Sequence, residues 1–140
     1  MRRYETIFIL RPDLGEATQK ESIRRFENIV RGSGGEIIET DEWGFRELAY
    51  RVKGEHRGFY VRLDYGGNGV TMNEIERNLK LSDAVLRYLS VLVDRDIEPA
   101  AVRAELEAQR RHSADARAAA EASRIAAEAA RAAASQTPAE

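Results

Sequence analysis

All ten aromatic residues and all ten glycines of this 140-residue chain lie before Pro99. Beyond that point 18 of 41 residues are Ala, and neither an aromatic residue nor Gly occurs. A core needs bulky apolar side chains and a compact fold needs turns, so only the first part can form a globular unit. The division falls at 1–97 for the folded domain and 98–140 for an Ala/Arg/Glu-rich tail. A chain of this size fits one domain, which can bury roughly two thirds of its unfolded surface.

The tail carries its own pattern. Arg103, Arg110, Arg117, Arg124 and Arg131 recur every seven residues, with Glu107, Glu121 and Glu128 between them. Ala, Arg and Glu favour helix, and Glu107 and Arg111 stand at the supportive i,i+4 spacing. Val102, Leu106 and Ile125 are too few for a coiled-coil seam. With six Arg against six acidic residues from Ala100 onward the tail is neutral, so it is no polybasic arm. A solvated helical or disordered extension is expected.

The first part reads as six elements. Tyr4 to Leu10 is β-rich and apolar on both parities toward its end, as in a central strand. Asp13 and Glu16 give a helix-start signal, and Ile23, Phe26, Ile29 and Val30 mark one helical face that stops at Gly32-Ser33-Gly34-Gly35. A strand from Glu36 toward Trp43, charged like an edge, is extended or followed by Phe45 to Val52. Gly54 to Gly58 reads as a turn. Phe59, Val61, Leu63 and Tyr65 then alternate with Tyr60, Arg62 and Asp64 in a third strand, with the first set turned toward the helices. After a loop at Gly66 to Gly69, Thr71 and Glu74 spell a capping box, with Met72, Ile75 and Leu79 on the core face. Val85 to Val93 closes the set. Strand, helix, strand, strand, helix, strand is the α+β, ferredoxin-like βαββαβ order: a four-stranded antiparallel sheet covered on one face by two helices. The other face is left for water, a partner or RNA.

No catalytic set is present. His56 and His112 are isolated and read as ordinary surface histidines, and a chain without Cys has no thiolate metal site or cysteine nucleophile. Neither glycine cluster fits a phosphate loop. Arg57-Gly58-Phe59-Tyr60-Val61 begins like the RNP1 motif of RNA-recognition domains, but Phe59 and Val61 fall on the core side. With 22 Lys+Arg against 24 Asp+Glu the formal charge is −2, which excludes a uniformly basic nucleic-acid coat but not a local patch. Arg2, Arg3, Arg46, Arg51, Lys53, Arg57, Arg62 and Arg87 are the dispersed candidates for such a patch. No apolar run reaches the ~18 residues of a membrane span, and Met1-Arg2-Arg3-Tyr4-Glu5 leads straight into a strand with no signal-peptide core, so a soluble cytoplasmic chain is expected.

Three blocks are more specific in combination. Met1-Arg2-Arg3-Tyr4-Glu5 with its following strand, Gly44-Phe45-Arg46-Glu47-Leu48-Ala49-Tyr50-Arg51-Val52 with Gly58-Phe59-Tyr60 beyond it, and Leu81-Ser82-Asp83-Ala84-Val85-Leu86-Arg87-Tyr88 occur in order. Together they resemble the bacterial small-subunit ribosomal protein six family. The resemblance implies a non-enzymatic, cofactor-free and metal-free protein of the cytoplasmic ribosome. It implies binding to the central domain of 16S rRNA as a heterodimer with small-subunit ribosomal protein eighteen. By position it makes Arg2, Arg3, Arg46 and Arg87 the RNA-side residues, and Tyr50, Arg51 and Lys53 a surface for RNA or the partner protein. The rival reading is a stand-alone ferredoxin-like module, either a ligand-sensing dimer or an acylphosphatase-like enzyme using the Arg11-Pro12-Asp13-Leu14-Gly15 loop.

Overall fold

The computed structural model describes residues 1–135. Its elements are β1 (Arg2–Leu10), α1 (Glu16–Gly32), β2 (Glu36–Val52), β3 (Glu55–Gly67), α2 (Gly69–Leu81), β4 (Val85–Asp94) and α3 (Pro99–Ser135). Two compact units result, Met1–Arg103 and a second that begins at Ala104. The sheet order is β2-β3-β1-β4, with every neighbouring pair antiparallel. β1 is central and β2 is an edge, as the sequence pattern predicts.

Strand alternation divides the sheet cleanly. Tyr4, Phe8 and Leu10 of β1 and Val61, Leu63 and Tyr65 of β3 are buried together with Ile23, Phe26 and Val30 of α1 and Ile75 and Leu79 of α2. The two helices therefore cover one face, and the residues of opposite parity form the other. Phe8 and Phe26 meet edge-on with ring centroids 5.1 Å apart, a favoured aromatic geometry. Inside this core the Thr6 hydroxyl shares hydrogen bonds with the Tyr65 hydroxyl at 2.9 Å and with Ser90 Oγ at 2.8 Å. Among the described residues every buried side-chain polar atom has a hydrogen-bond partner.

Both helix starts differ from the sequence expectation. The Asp13/Glu16 box does not form: Gly15 is the N-cap of α1, and no side chain caps the helix. The cap of α2 stands three residues upstream of the expected T-x-x-E pattern. Asn68 Oδ1 accepts from the Thr71 backbone N–H at 3.1 Å, while the Asn68 N–H donates to Thr71 Oγ1 at 3.3 Å. The Thr71 hydroxyl also donates to the Ser33 carbonyl at 3.0 Å, which joins the start of α2 to the end of α1. Position 71 thus serves inside the first helical turn, and Glu74 is left to pair with Arg77.

The β2–β3 connection is tighter than expected. Val52 pairs with Glu55, so the turn is Lys53-Gly54 and residues Glu55 to Gly58 belong to β3. Both turn residues have positive φ, 50° and 82°, the requirement of a type I′ hairpin. β2 bends by register shifts between Ile37 and Glu39, Glu42 and Gly44, and Glu47 and Val52. Gly44, at φ 86°, sits at the second of these.

The far edge of the domain is closed by the segment after β4. Met1 and Ile97 exchange two backbone hydrogen bonds, at 2.6 and 3.1 Å. Pro99 is buried against Gly66, where an added Cβ would lie 2.9 Å from its ring. Arg103 donates to the Ile37 carbonyl at 2.8 Å. The first turn of α3 therefore belongs to the first unit. From Glu107 to Ser135 every residue is exposed, as expected of a helix without an apolar seam.

Candidate nucleic-acid interface

The helix-free face has three regions that follow from the strand registers. At its centre lies an ion-pair network around Asp64, which is only 1% exposed. Arg3 grips it bidentately, Nε to Oδ1 at 3.0 Å and Nη2 to Oδ2 at 2.7 Å. Arg62, between these carboxylates, reaches Glu39 at 3.1 Å, Glu5 at 3.4 Å, Asp64 at 3.7 Å and Asp41 at 3.8 Å. The hydrogen bond with Asp64 holds the Arg3 guanidinium above its ordinary pKa, against the opposing effect of burial. These cations are committed to carboxylates. A phosphate would have to displace them.

Toward the β2–β3 hairpin end the chemistry changes. Trp43, lifted by the bulge at Gly44, stacks on Tyr60 at 6.4 Å with an 18° interplanar angle, and its Nε1 donates to Asp41 at 2.9 Å. Arg46 lies over both rings, 4.8 Å from the Trp43 centroid and 5.9 Å from Tyr60. A stacked guanidinium uses its π face on the ring and keeps its in-plane N–H groups directed outward. Three strands away, about 14 Å at normal strand spacing, Arg87 is exposed opposite Ile9. Arg46, Tyr60, Ile9 and Arg87 thus form a row across one end of the face. Ile7, Leu89 and Val91 continue from that row as an apolar region along β1 and β4, with Leu89 63% and Val91 44% exposed.

The sequence candidates separate accordingly. Arg46, Arg87, Tyr50, Arg51 and Lys53 share the hairpin end. Tyr50 and Arg51 occupy the irregular stretch of β2 and are exposed, whereas Lys53 Nζ donates to the Val85 carbonyl at 3.2 Å. Arg2 and Arg3 lie at the opposite end, about 20 Å along β1 from Ile9. Arg2 has the parity of the helix side and points its Nη1 to the Tyr4 hydroxyl at 3.5 Å. Phe59 and Val61 face the core as read from the alternation, so the RNP1-like stretch presents Tyr60 alone to the open face. Trp43 was not among the sequence candidates. Its signal was Gly44 inside a strand, which marks a bulge.

Enzyme-like features are not assembled. Arg11, which an anion-cradling loop after β1 would require, donates to the Asp83 carbonyl at 2.6 Å and faces Glu55 at 3.9 Å. Among the described residues no three His, Cys, Asp or Glu side chains are placed to hold a metal ion, and no helix is long and apolar enough to cross a membrane.

Comparison with known proteins bears on this arrangement. The family model described as Ribosomal protein S6 matches residues 3–92. Small ribosomal subunit protein bS6 of Desulforapulum autotrophicum is 39% identical over 116 residues, which cover 83% of this chain and 75% of that protein. Small ribosomal subunit protein bS6 of Thermoanaerobacter pseudethanolicus is 45% identical over 94 residues, 67% of this chain and 99% of the other. The crystal structure of 30S ribosomal protein S6 from Thermotoga maritima superposes with a TM-score of 0.63 at 23% identity, over 80% of this chain and 96% of that one, a likeness of fold.

Proposed function

This chain belongs to the ribosomal protein S6 family, a constituent of the small subunit of the bacterial cytoplasmic ribosome and not an enzyme, and we propose that it binds the central domain of 16S rRNA jointly with small-subunit ribosomal protein eighteen. The observation that carries the reading is the row at the hairpin end of the helix-free face. There Arg46 is fixed over Trp43 and Tyr60, and Arg87 projects beside apolar surface. Phosphate contacts fall to Arg46 and Arg87, with Arg51 and Tyr50 at the margin. The apolar region of Ile7, Leu89 and Val91 receives the partner protein. A partner that brings its own positive charge explains how a chain of net charge −2 is held on RNA. Arg3 acts through Asp64 to hold the sheet, and Arg2, at the opposite end with the parity of the helix side, lies off this row.

A mobility-shift titration with a central-domain 16S fragment, with and without the partner, tests this at two salt concentrations. Binding should require the partner and weaken as salt rises. Arg46→Ala and Arg87→Ala should each cost several-fold in affinity and lower the salt slope by about 1, with unchanged thermal unfolding. Wild-type affinity and slope in both variants would remove these residues from the RNA side. Absence of partner-dependent binding, once earlier-assembling proteins are supplied, would remove the joint recognition itself.

A further inference from the structure

The sheet has two edges, β2 and β4, and they differ in chemistry. β2 carries Glu36, Glu39, Asp41, Glu42, Arg46 and Glu47, charges of the kind that keep an edge from pairing with another chain. β4 has no charged residue between Arg87 and Asp94. Its side chains there include Leu89, 63% exposed, Val91 at 44%, and Leu92 and Val93 at 46% each. The chain beyond β4 turns away from this edge, since Ile97 bonds Met1 and Pro99 packs on Gly66 of β3. Among the described residues no strand lies on the outer side of β4, so its backbone groups there are open to a further strand.

The order of side chains along β4 selects the strand that fits. Arg87, Leu89 and Val91 alternate on the helix-free face, whereas Tyr88, Ser90 and Leu92 lie on the helix side, opposite Phe8, Thr6 and Tyr4. Val93 is passed over in the register with β1, so Asp94 returns to the helix-free face opposite Arg3. On that face β4 reads cation, apolar, apolar, anion. A second β4 laid antiparallel, with a two-fold axis at Ser90, meets this order in reverse. Leu89 then comes opposite Val91 of the second copy, Tyr88 opposite its Leu92, and Arg87 opposite its Asp94 past the Val93 bulge. Each pair occurs twice. Moving the axis to Leu89 sets Arg87 against Val91, and moving it to Val91 sets Leu89 against Asp94, so either shift loses both ion pairs. Arg87 has no ion pair among the described residues, and Asp94 accepts only the Asp96 N–H, at 3.3 Å. Across a strand pair it is the directly opposed residue that counts, not the net charge of the surroundings.

We propose that the free chain associates with a second copy of itself through β4, the two sheets joining into one continuous antiparallel sheet about a two-fold axis at Ser90. The self-complementary order of charge and apolar side chains is what commits this edge to a second copy. The dimer covers Arg87, Leu89 and Val91, which the proposed function gives to RNA and the partner protein. It therefore belongs to the unassembled chain; that consequence rests on the proposed function, and the pairing itself does not.

The test is sedimentation velocity of the full chain, without RNA or partner protein, over about 1–500 µM, a range that brackets a small interface. The wild type should pass from monomer to dimer across it. Arg87→Asp and Asp94→Arg each set like charges opposite one another twice and should raise the dissociation constant about tenfold. The double variant Arg87→Asp/Asp94→Arg restores opposite charges and should return to within about threefold of the wild type. Leu89→Lys, at a position already exposed, should remain monomeric throughout with unchanged thermal unfolding. A wild type that stays monomeric to the top of the range overturns the proposal. So does a dimer that every variant forms equally well, which would place the contact elsewhere, and so does open-ended growth beyond the dimer, which a closed two-fold contact does not permit. Weakening by both single charge reversals without recovery in the double variant overturns the pairing of Arg87 with Asp94 and the axis at Ser90. Because no RNA is present, none of these outcomes bears on the RNA-binding reading.

Discussion

Replacing Asp64 by Asn keeps the shape of the side chain and removes the charge on which the centre of the open face is organised. Asp64 is almost fully buried, whereas its partners Arg3 and Arg62 keep about a quarter and a fifth of their side-chain surface in water. Breaking a fully buried pair costs about 3–5 kcal/mol. Here water can reach the abandoned guanidinium of Arg3, and Arg62 retains Glu39 at 3.1 Å and Glu5 at 3.4 Å, so the cost should be smaller. The amide of Asn also turns N–H groups toward one of the two Arg3 donors. Losing one charge-assisted bond and weakening another gives about 2–3 kcal/mol. Urea unfolding at neutral pH of wild type, Asp64→Asn, Arg3→Met and the double variant measures this directly. The double variant should recover at least 1 kcal/mol relative to the sum of the singles, since contacting partners couple by about 0.5–3 kcal/mol. Additive losses within error, with unchanged m-values, would show that the bidentate pair does not act as a unit and would refute the reasoning.

Two further effects are open to measurement. Burial pushes the Tyr65 hydroxyl up to about 12, with its hydrogen bond to Thr6 acting in the opposite direction. A folded-state pKa above the unfolded value near 10 means that stability is whole below pH 10 and falls by roughly 2–3 kcal/mol as pH rises through 12. Tyr65→Phe should flatten that part of the pH profile in chemical denaturation, at a cost near 1 kcal/mol at neutral pH; an unchanged alkaline slope would count against it. Asn68→Ala removes the cap of α2 and should cost about 1 kcal/mol in urea unfolding, whereas Glu74→Ala, outside the capping pair, should stay within about 0.5 kcal/mol. Equal losses from the two would return the cap to the T-x-x-E pattern.

The course of the chain was legible wherever periodicity carried the information. The alternation of β3 placed Phe59, Val61, Leu63 and Tyr65 on the helix side, and the 3.6-residue spacing placed Ile23, Phe26 and Val30 beneath α1. Local turn chemistry was harder to read. Lys53 occupies a left-handed position usually taken by Asn, Asp or Gly, so the hairpin looked longer than it is. Two capping patterns overlapped at the start of α2, and the upstream Asn68 prevailed because it lets Thr71 bond both the cap and Ser33. The candidate interface was legible only as a collection of arginines. Which of them are committed depends on register: Arg3 meets Asp64 across 61 residues of sequence, and Arg46 reaches Tyr60 only because the bulge at Gly44 sets Trp43 beside it. Family resemblance supplied Arg2, Arg3, Arg46 and Arg87 together, and no spacing rule separates Arg46 and Arg87 from Arg3 or Arg62.

The pairing of Met1 with Ile97 makes the first unit nearly a closed ring of chain. Its two ends already meet through backbone hydrogen bonds, so the order in which the strands are synthesised is not what holds them in place. A short linker from Ile97 to Met1, with a new opening at the exposed Lys53-Gly54 turn, would leave each strand pairing of the sheet available. The β2–β3 hairpin would then form by association of distant segments, and β1 and β4, now joined by the linker, would become the local pair. The same strand pairings would be reached from a different set of sequence separations, at the loss of the Pro99 and Arg103 contacts with Gly66 and Ile37. The folding rate is thus a property that can be rewritten while the strand pairings of the sheet are kept.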